Sequence, residues 1–180
     1  RVSVGGVDRF NAIFAPLLLE TIKGPIPDTY RLPPNVASEN AAAHYLAITE
    51  QLLQKHHEEI AACIMEPLVQ CAAGIVTHPP GFLRGIERLC RKYNILLIAD
   101  EIAVGFGRTG TLFACEQEGI EPDFLCLGKG LTAGYLPMSA TLTQERIWNS
   151  FLGSDADNNA FFHGHTYGGS PLAAAVALRN

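Results

Sequence analysis

An α/β fold with a mostly parallel sheet and helices on both faces is predicted by three features of this sequence. Ile95-Leu96-Leu97-Ile98-Ala99 is an unbroken apolar run that ends in Asp100-Glu101. Short and rich in branched residues, it reads as a strand buried on both faces, as in a parallel sheet. Asp123-Phe124-Leu125-Cys126-Leu127 is a second such run and ends in Gly128-Lys129-Gly130. Third, apolar runs alternate with segments of helical period, which is the pattern of β–α units. Open α/β sheets bind ligands outside the carboxyl ends of their strands. Asp100 and Lys129 are therefore expected to meet at one rim of one sheet.

The elements follow in order. Residues 1–37 are rich in Gly and Pro. Val2–Val7 and Phe10–Leu19 are apolar, but Pro25, Pro27, Pro33 and Pro34 forbid long regular elements. Only a helical turn near Phe10 is expected there. Ser38 is a suitable N-cap. Tyr45, Ile48, Thr49, Leu52 and Leu53 then fall at helical spacing, which predicts an amphipathic helix ending near Glu58. Ile60–Met65 reads as a buried strand closed by Glu66-Pro67, followed by a loop to Pro80. Phe82, Leu83, Ile86, Leu89, Cys90 and Tyr93 predict a helix over 81–93, stopped at Asn94. A short helix near Leu112–Glu118, a strand at Met138–Thr143 and a helix over Gln144–Phe151 come next. Residues 153–160 are polar and expected to be exposed. Ser170-Pro171 opens a last helix, with Ser as N-cap and Pro at the first position.

Composition narrows the class. With 180 residues, 48% hydrophobic and 17% charged, the chain is long and apolar enough for one globular domain. Its net charge of −5, with no Lys/Arg block, argues against nucleic acid and anionic membrane as partners. No apolar segment is long enough to span a bilayer; Pro67–Leu83, the longest apolar-looking stretch, carries Gln70 and His78. The five cysteines, Cys63, Cys71, Cys90, Cys115 and Cys126, are scattered and read as reduced thiols of a cytoplasmic protein. No Cys-x-x-Cys pair suggests zinc. The chain starts at Arg1 and ends at Asn180 inside a helical pattern, so a fragment of a longer protein is expected.

The two strand ends carry the chemistry. A lysine on a glycine-flanked turn is usually a solvated charge. After an apolar strand its amine can be partly desolvated, which favours the neutral form, and a neutral amine attacks carbonyls to form Schiff bases. Asp100 can be a loop acceptor, but a buried carboxylate wants a cationic partner. A protonated pyridine nitrogen is one, so an acid and a Schiff-base lysine together suit pyridoxal phosphate. His163-Gly164-His165-Thr166-Tyr167-Gly168-Gly169-Ser170 offers hydroxyls, open backbone N–H groups and a helix start to a phosphate, although it also reads as a plain flexible loop. His163 and His165 lack a convincing third metal ligand. Gly105-Phe106-Gly107-Arg108-Thr109-Gly110 matches G-x-G-x-x-G, but a dinucleotide site needs those glycines to open a substantial helix. A tight loop, with Arg108 paired to a nearby carboxylate, is the expectation.

These residues together resemble a family. Asp100-Glu101-Ile102 followed by Gly105–Gly110, then Gly128-Lys129-Gly130-Leu131-Thr132 and Gly134-Tyr135-Leu136-Pro137, are similar to the signature and lysine segments of class III (subgroup II) aminotransferases. Glu66-Pro67-Leu68-Val69-Gln70 resembles that family's upstream Glu-Pro motif. Val2–Gly6, Pro16–Leu19 and Phe161–Tyr167 are most similar to the branch that moves an amino group from S-adenosylmethionine to 8-amino-7-oxononanoate in biotin synthesis.

The resemblance implies a fold type I large domain and pyridoxal 5'-phosphate as cofactor. Lys129 would hold the cofactor and shuttle the proton, and Asp100 would bind the pyridinium nitrogen. Thr166 and the His165 backbone would bind the phosphate across a homodimer interface. Gly164 would line the site for small-molecule substrates, and Glu66 would sit near the ring. Cys71-Ala72-Ala73-Gly74 and Val104 depart from the family's usual residues without removing a catalytic group. The N-terminal segment and C-terminal small domain of the family have no counterpart, so 1–180 alone is expected to have little or no transaminase activity. The alternatives are another class III transaminase for ω-amino acids or diamines and, more distantly, a nucleotide-binding α/β module.

Overall fold

The structure, a computed structural model, describes Val4, Gly5 and residues 11–180. The rest of the Val2–Val7 stretch, and Phe10, lie outside the described residues. The turn expected near Phe10 is a 3-10 segment at Ala12–Leu17. Helix α1 (Ala41–His56) buries Ala41, Tyr45, Thr49 and Leu53 along one stripe. Ser38 does not cap it. Instead Ser38–Asn40 form a 3-10 turn, and the Asn40 N–H donates to Ala37 O at 2.9 Å. A local backbone bond thus replaces the side-chain cap.

Strand β1 (Ala62–Met65) leads to β2 (Val69–Gln70) and β3 (Val76–Thr77), which pair antiparallel where a loop was expected. Two-residue strands carry no readable period, which is why sequence pattern misses them. Helix α2 (Phe82–Lys92) follows, and Asn94 turns the chain out of it at φ 55°. Next come β4 (Leu96–Asp100), β5 (Phe124–Leu127) and β6 (Ala140–Thr143). The helix expected near 112–118 is a 3-10 segment, Ala114–Glu118. Helix α3 (Glu145–Trp148) is one turn extended by a 3-10 turn, and α4 (Pro171–Arg179) begins with Pro171 as expected. Ser170 stands at the cap position, but its side chain makes no capping bond.

The main sheet has the order β1-β4-β5-β6. β1, β4 and β5 are parallel, and β6 runs antiparallel to β5. Side chains alternate across a sheet, so the register sorts them by face. Cys63, Met65, Leu97, Ala99 and Leu125 share the face packed against Tyr45 and Leu53 of α1 and Phe82, Leu83, Ile86 and Cys90 of α2. Gly85 lets the two helices close up, since a Cβ there would stand 2.3 Å from Leu46 Cδ1. The other face carries Ile64, Ile98 and Phe124 and is only half-buried. β4 is therefore deeply buried on one face rather than on both.

The amino end of the sheet is tied by Asp123, which is fully buried. Its carboxylate accepts the Leu97 N–H at 2.7 Å, both its oxygens accept Arg91 Nη1 at 2.9 Å, and it also meets Arg146. This cluster sits opposite the chemically interesting edge.

Candidate functional site

Because β1, β4 and β5 are parallel neighbours, their carboxyl ends share one edge of the sheet. Glu66 follows β1, Asp100 ends β4, and Lys129 follows β5 after Gly128. The acid and the amine thus stand on adjacent strands at one rim. Asp100 is 6% exposed, and its Oδ1 accepts the Ile102 N–H at 3.1 Å. Glu66 Oε2 accepts the Cys71 N–H at 3.0 Å. That bond folds the chain back over the Glu-Pro turn.

Glu101 is the residue that pattern reading undervalued. It is 0% exposed, and its two oxygens accept the Ala114 and Cys115 N–H groups at 2.9 and 2.8 Å. A buried carboxylate persists only when its oxygens are satisfied. Here the satisfied pair closes the loop from 102 to 113 onto the sheet. The Cys115 thiol is pushed up by burial first and by its bond to Glu101 second. At the loop's start the Gly105 N–H donates to Glu101 O at 2.9 Å, and a Cβ on Gly105 would collide with that same oxygen. The glycine run therefore makes a tight loop and opens no helix, which removes the structural basis of a dinucleotide site.

That loop lies on the lysine turn. A Cβ on Gly128 would stand 3.2 Å from Ile102 Cγ2, and one on Gly130 would stand 2.9 Å from Phe106 Cβ. The two glycines beside Lys129 are spaces filled by the loop's side chains. A signal for this existed, since glycine at a strand end often marks close approach of another segment. Lys129 itself has φ 39°, a conformation that non-glycine residues adopt at a cost. The turn is held by Gly134 N–H to Lys129 O, and by Thr132 Oγ1, which donates to Leu136 O at 2.5 Å. Lys129 is exposed, so the expected desolvation by the preceding strand does not occur: the turn carries it past the sheet edge.

One other expectation needs correction. Arg108 is exposed and pairs with no carboxylate among the described residues, because φ 85° at Gly107 and φ 108° at Gly110 turn the loop tip toward solvent. Gly164, His165 and Thr166 are exposed within one copy of the chain. His165 Nδ1 accepts the Tyr167 N–H at 3.1 Å, and the His163 ring stacks on Phe161. The link between this region and the lysine turn comes from the end of α4, where Asn180 Nδ2 donates to Gly130 O at 2.8 Å. Among the described residues, no group of three His, Cys, Asp or Glu side chains could hold a metal ion, and no helix is long and apolar enough to cross a membrane.

An open cleft of about 550 Å³ is lined by Leu68, His78, Arg84, Gln117 and Glu118 and includes neither Asp100 nor Lys129. The chemistry of the side chains, not concavity, identifies the edge as the site. A carboxylate and an amine on neighbouring strand ends can hold a polar heteroaromatic ring and a carbonyl carbon.

Residues 2–180 match the family described as Aminotransferase class-III. Among curated relatives, the chain is 50% identical over 177 residues to the adenosylmethionine-8-amino-7-oxononanoate aminotransferase of Nitratidesulfovibrio vulgaris, covering 98% of this chain and 33% of that protein. It is 50% identical over 179 residues to the protein of the same name in Staphylococcus aureus, covering 99% and 39%. Among solved structures, an (S)-enantioselective omega-transaminase from Thermomicrobium roseum superposes with a TM-score of 0.91 at 39% identity, over 99% of this chain and 39% of that one. The adenosylmethionine-8-amino-7-oxononanoate aminotransferase of Methanocaldococcus jannaschii gives 0.86 at 39% identity, over 98% and 38%. The chain thus spans well under half the length of the relatives it matches.

Proposed function

The chain belongs to the class-III aminotransferases, and from that premise we propose that the whole protein transfers an amino group from S-adenosylmethionine to 8-amino-7-oxononanoate, giving 7,8-diaminononanoate for biotin synthesis. The observation that carries the reading is the pairing of a buried Asp100 with Lys129 at the carboxyl ends of adjacent parallel strands. The choice of donor and acceptor rests on the names of relatives about half identical over almost the whole chain.

Class-III aminotransferases work with pyridoxal 5'-phosphate, and the residues at the edge fit it. A buried carboxylate at one strand end suits the ring nitrogen, and an accessible amine at the next suits the carbonyl carbon. When bound, the ring supplies an electron sink for the pair left as a substrate carbon loses its proton. Asp100 would hold a proton on the ring nitrogen. Lys129 Nζ would anchor the carbonyl carbon and would be the group that moves the substrate proton. The loop over Gly128 and Gly130 fixes the lysine turn. Gly164 would line the substrate site. Thr166 and the His165 backbone hold the phosphate from a second copy of the chain, which is consistent with their exposure within one copy. The protein is read as a cytoplasmic homodimer.

The test is the absorbance spectrum of the whole protein purified with pyridoxal phosphate, before and after borohydride, with Lys129→Ala beside it. A visible band fixed by borohydride to the Lys129 peptide and absent from the variant is expected, together with a loss of turnover of at least ~10³-fold. No band in either protein sinks the reading. An ω-amino acid or diamine transaminase is the second reading, favoured by the TM-score of 0.91 to an omega-transaminase. Turnover with β-alanine but not with S-adenosylmethionine as donor would select it.

A further inference from the structure

Strand β5 ends at Leu127, and Lys129 is exposed on the turn beyond it. The place of its amine therefore depends on the turn rather than on the strand. The turn is tight: φ is 39° at Lys129, 49° at Ala133 and 80° at Gly134. Lys129 and Ala133 both carry side chains, and such residues keep a left-handed backbone only where their surroundings enforce it. The enforcing bonds are local. Leu131 N–H donates to Gly128 O at 2.9 Å, Ala133 N–H to Gly130 O at 3.0 Å and Gly134 N–H to Lys129 O at 3.2 Å.

Thr132 links these bonds to the interior. Among the described residues 129–136 it alone is buried, at 1% exposure. Its C=O accepts the Tyr135 N–H at 3.0 Å, and its hydroxyl donates to Leu136 O at 2.5 Å. A buried hydroxyl needs such a partner. One side chain thus anchors the turn in the protein and closes its far end.

We infer that Thr132 is a positioning residue: by closing the turn from 129 to 136 through its hydroxyl, it holds the left-handed backbone of Lys129 and so sets where the amine stands against the cofactor's carbonyl carbon. This role rests on the transaminase reading. Without the hydroxyl the Leu136 carbonyl loses its donor, the turn opens, and Lys129 relaxes toward commoner backbone angles. The amine then spends less time in an attacking geometry, and bond formation slows. Thr132 acts through the lysine backbone and needs no contact with cofactor or substrate.

The test uses the whole protein, stripped of cofactor, with the variants Thr132→Val, Thr132→Ser and Gly134→Ala. The first readout is hydrogen exchange of the 129–136 amides before any cofactor is added. The second is the rate at which the visible band forms on adding pyridoxal phosphate, followed to saturation. Thr132→Val is expected to speed exchange in the turn and to slow band formation at saturation about 5–10-fold, the range of a buried carbonyl left without its donor. The pyridoxal phosphate concentration giving half the maximal rate stays unchanged. Thr132→Ser keeps the donor and restores both readouts. Gly134 is exposed, and a Cβ there would meet nothing within 4 Å, so Gly134→Ala strains the turn through φ alone and leaves the core intact. It slows band formation in the same sense by less, and it decides the matter if Thr132→Val fails to fold. A role in packing alone would lower the urea midpoint and leave the saturating rate as in the parent. An unchanged saturating rate in Thr132→Val, or in Gly134→Ala where the valine variant does not fold, overturns the inference, as does a serine variant as slow as the valine one. No visible band in the parent overturns instead the function on which it rests.

Discussion

Phe106 occupies the space that a side chain at Gly130 would need: a Cβ there would lie 2.9 Å from Phe106 Cβ and 3.0 Å from Cδ2. Two segments that are separate in sequence, the glycine loop and the lysine turn, are thereby one packed unit. Gly130→Ala is expected to cost about 1–3 kcal/mol by overpacking and to raise the cofactor's dissociation constant by shifting Lys129. Adding Phe106→Gly, which removes that Cβ, should recover part of the cofactor affinity, because the two changes share one contact. Equilibrium binding of pyridoxal phosphate to the single and double variants checks this, and strictly additive effects would refute it.

Glu101 closes the loop through two backbone N–H groups. Glu101→Gln keeps the shape but sets an amide NH₂ against one of those donors. A loss of about 2–3 kcal/mol follows from one buried donor left unsatisfied. Urea unfolding gives the number, and limited trypsin digestion at the exposed Arg108 should proceed faster in the variant.

Asp123 predicts acid sensitivity at the opposite end of the sheet. Burial alone would raise its carboxyl, but the Leu97 N–H and the Arg91 guanidinium, with Arg146 beyond, hold it below the usual carboxylate range. A depressed carboxyl contributes stability that is present above the unfolded value near pH 4 and lost as pH falls through the folded one. Asp123→Ala strands Arg91 and the Leu97 N–H and should cost about 3 kcal/mol at pH 7. Its urea midpoint should also be less sensitive to pH than the parent's below pH 4.

His78 predicts a second, milder pH effect. Both ring nitrogens are buried without a partner among the described residues, the ring lies edge-on to Phe82, and burial lowers its pKa to about 4. The unfolded chain takes up a proton near pH 6.5, and the folded one only near 4. Stability should therefore fall as pH drops through that window, by about 3 kcal/mol in all. His78→Phe should flatten the dependence between pH 6.5 and 4 in denaturation curves, and an unchanged slope would show that another group titrates there.

The sequence by itself determined the kind of fold and the identity of the reacting groups. β4 and β5 were legible because a short apolar run ending in a charged residue has few other readings, and Asp100 and Lys129 were legible because they end those runs. α1 and α2 were legible because a buried stripe imposes its period on the sequence. Only the tertiary structure decided what supports the site. The burial of Glu101 depends on N–H groups of Ala114 and Cys115, well beyond it in the chain. The glycines beside Lys129 take their meaning from Ile102 and Phe106. The exposure of Lys129 and the open tip at Arg108 were misjudged, because both depend on how far a turn carries a residue past the sheet edge. Periodicity records which face of its own element a residue occupies. Contact between elements depends on register and turn geometry, and these are set when the chain closes on itself.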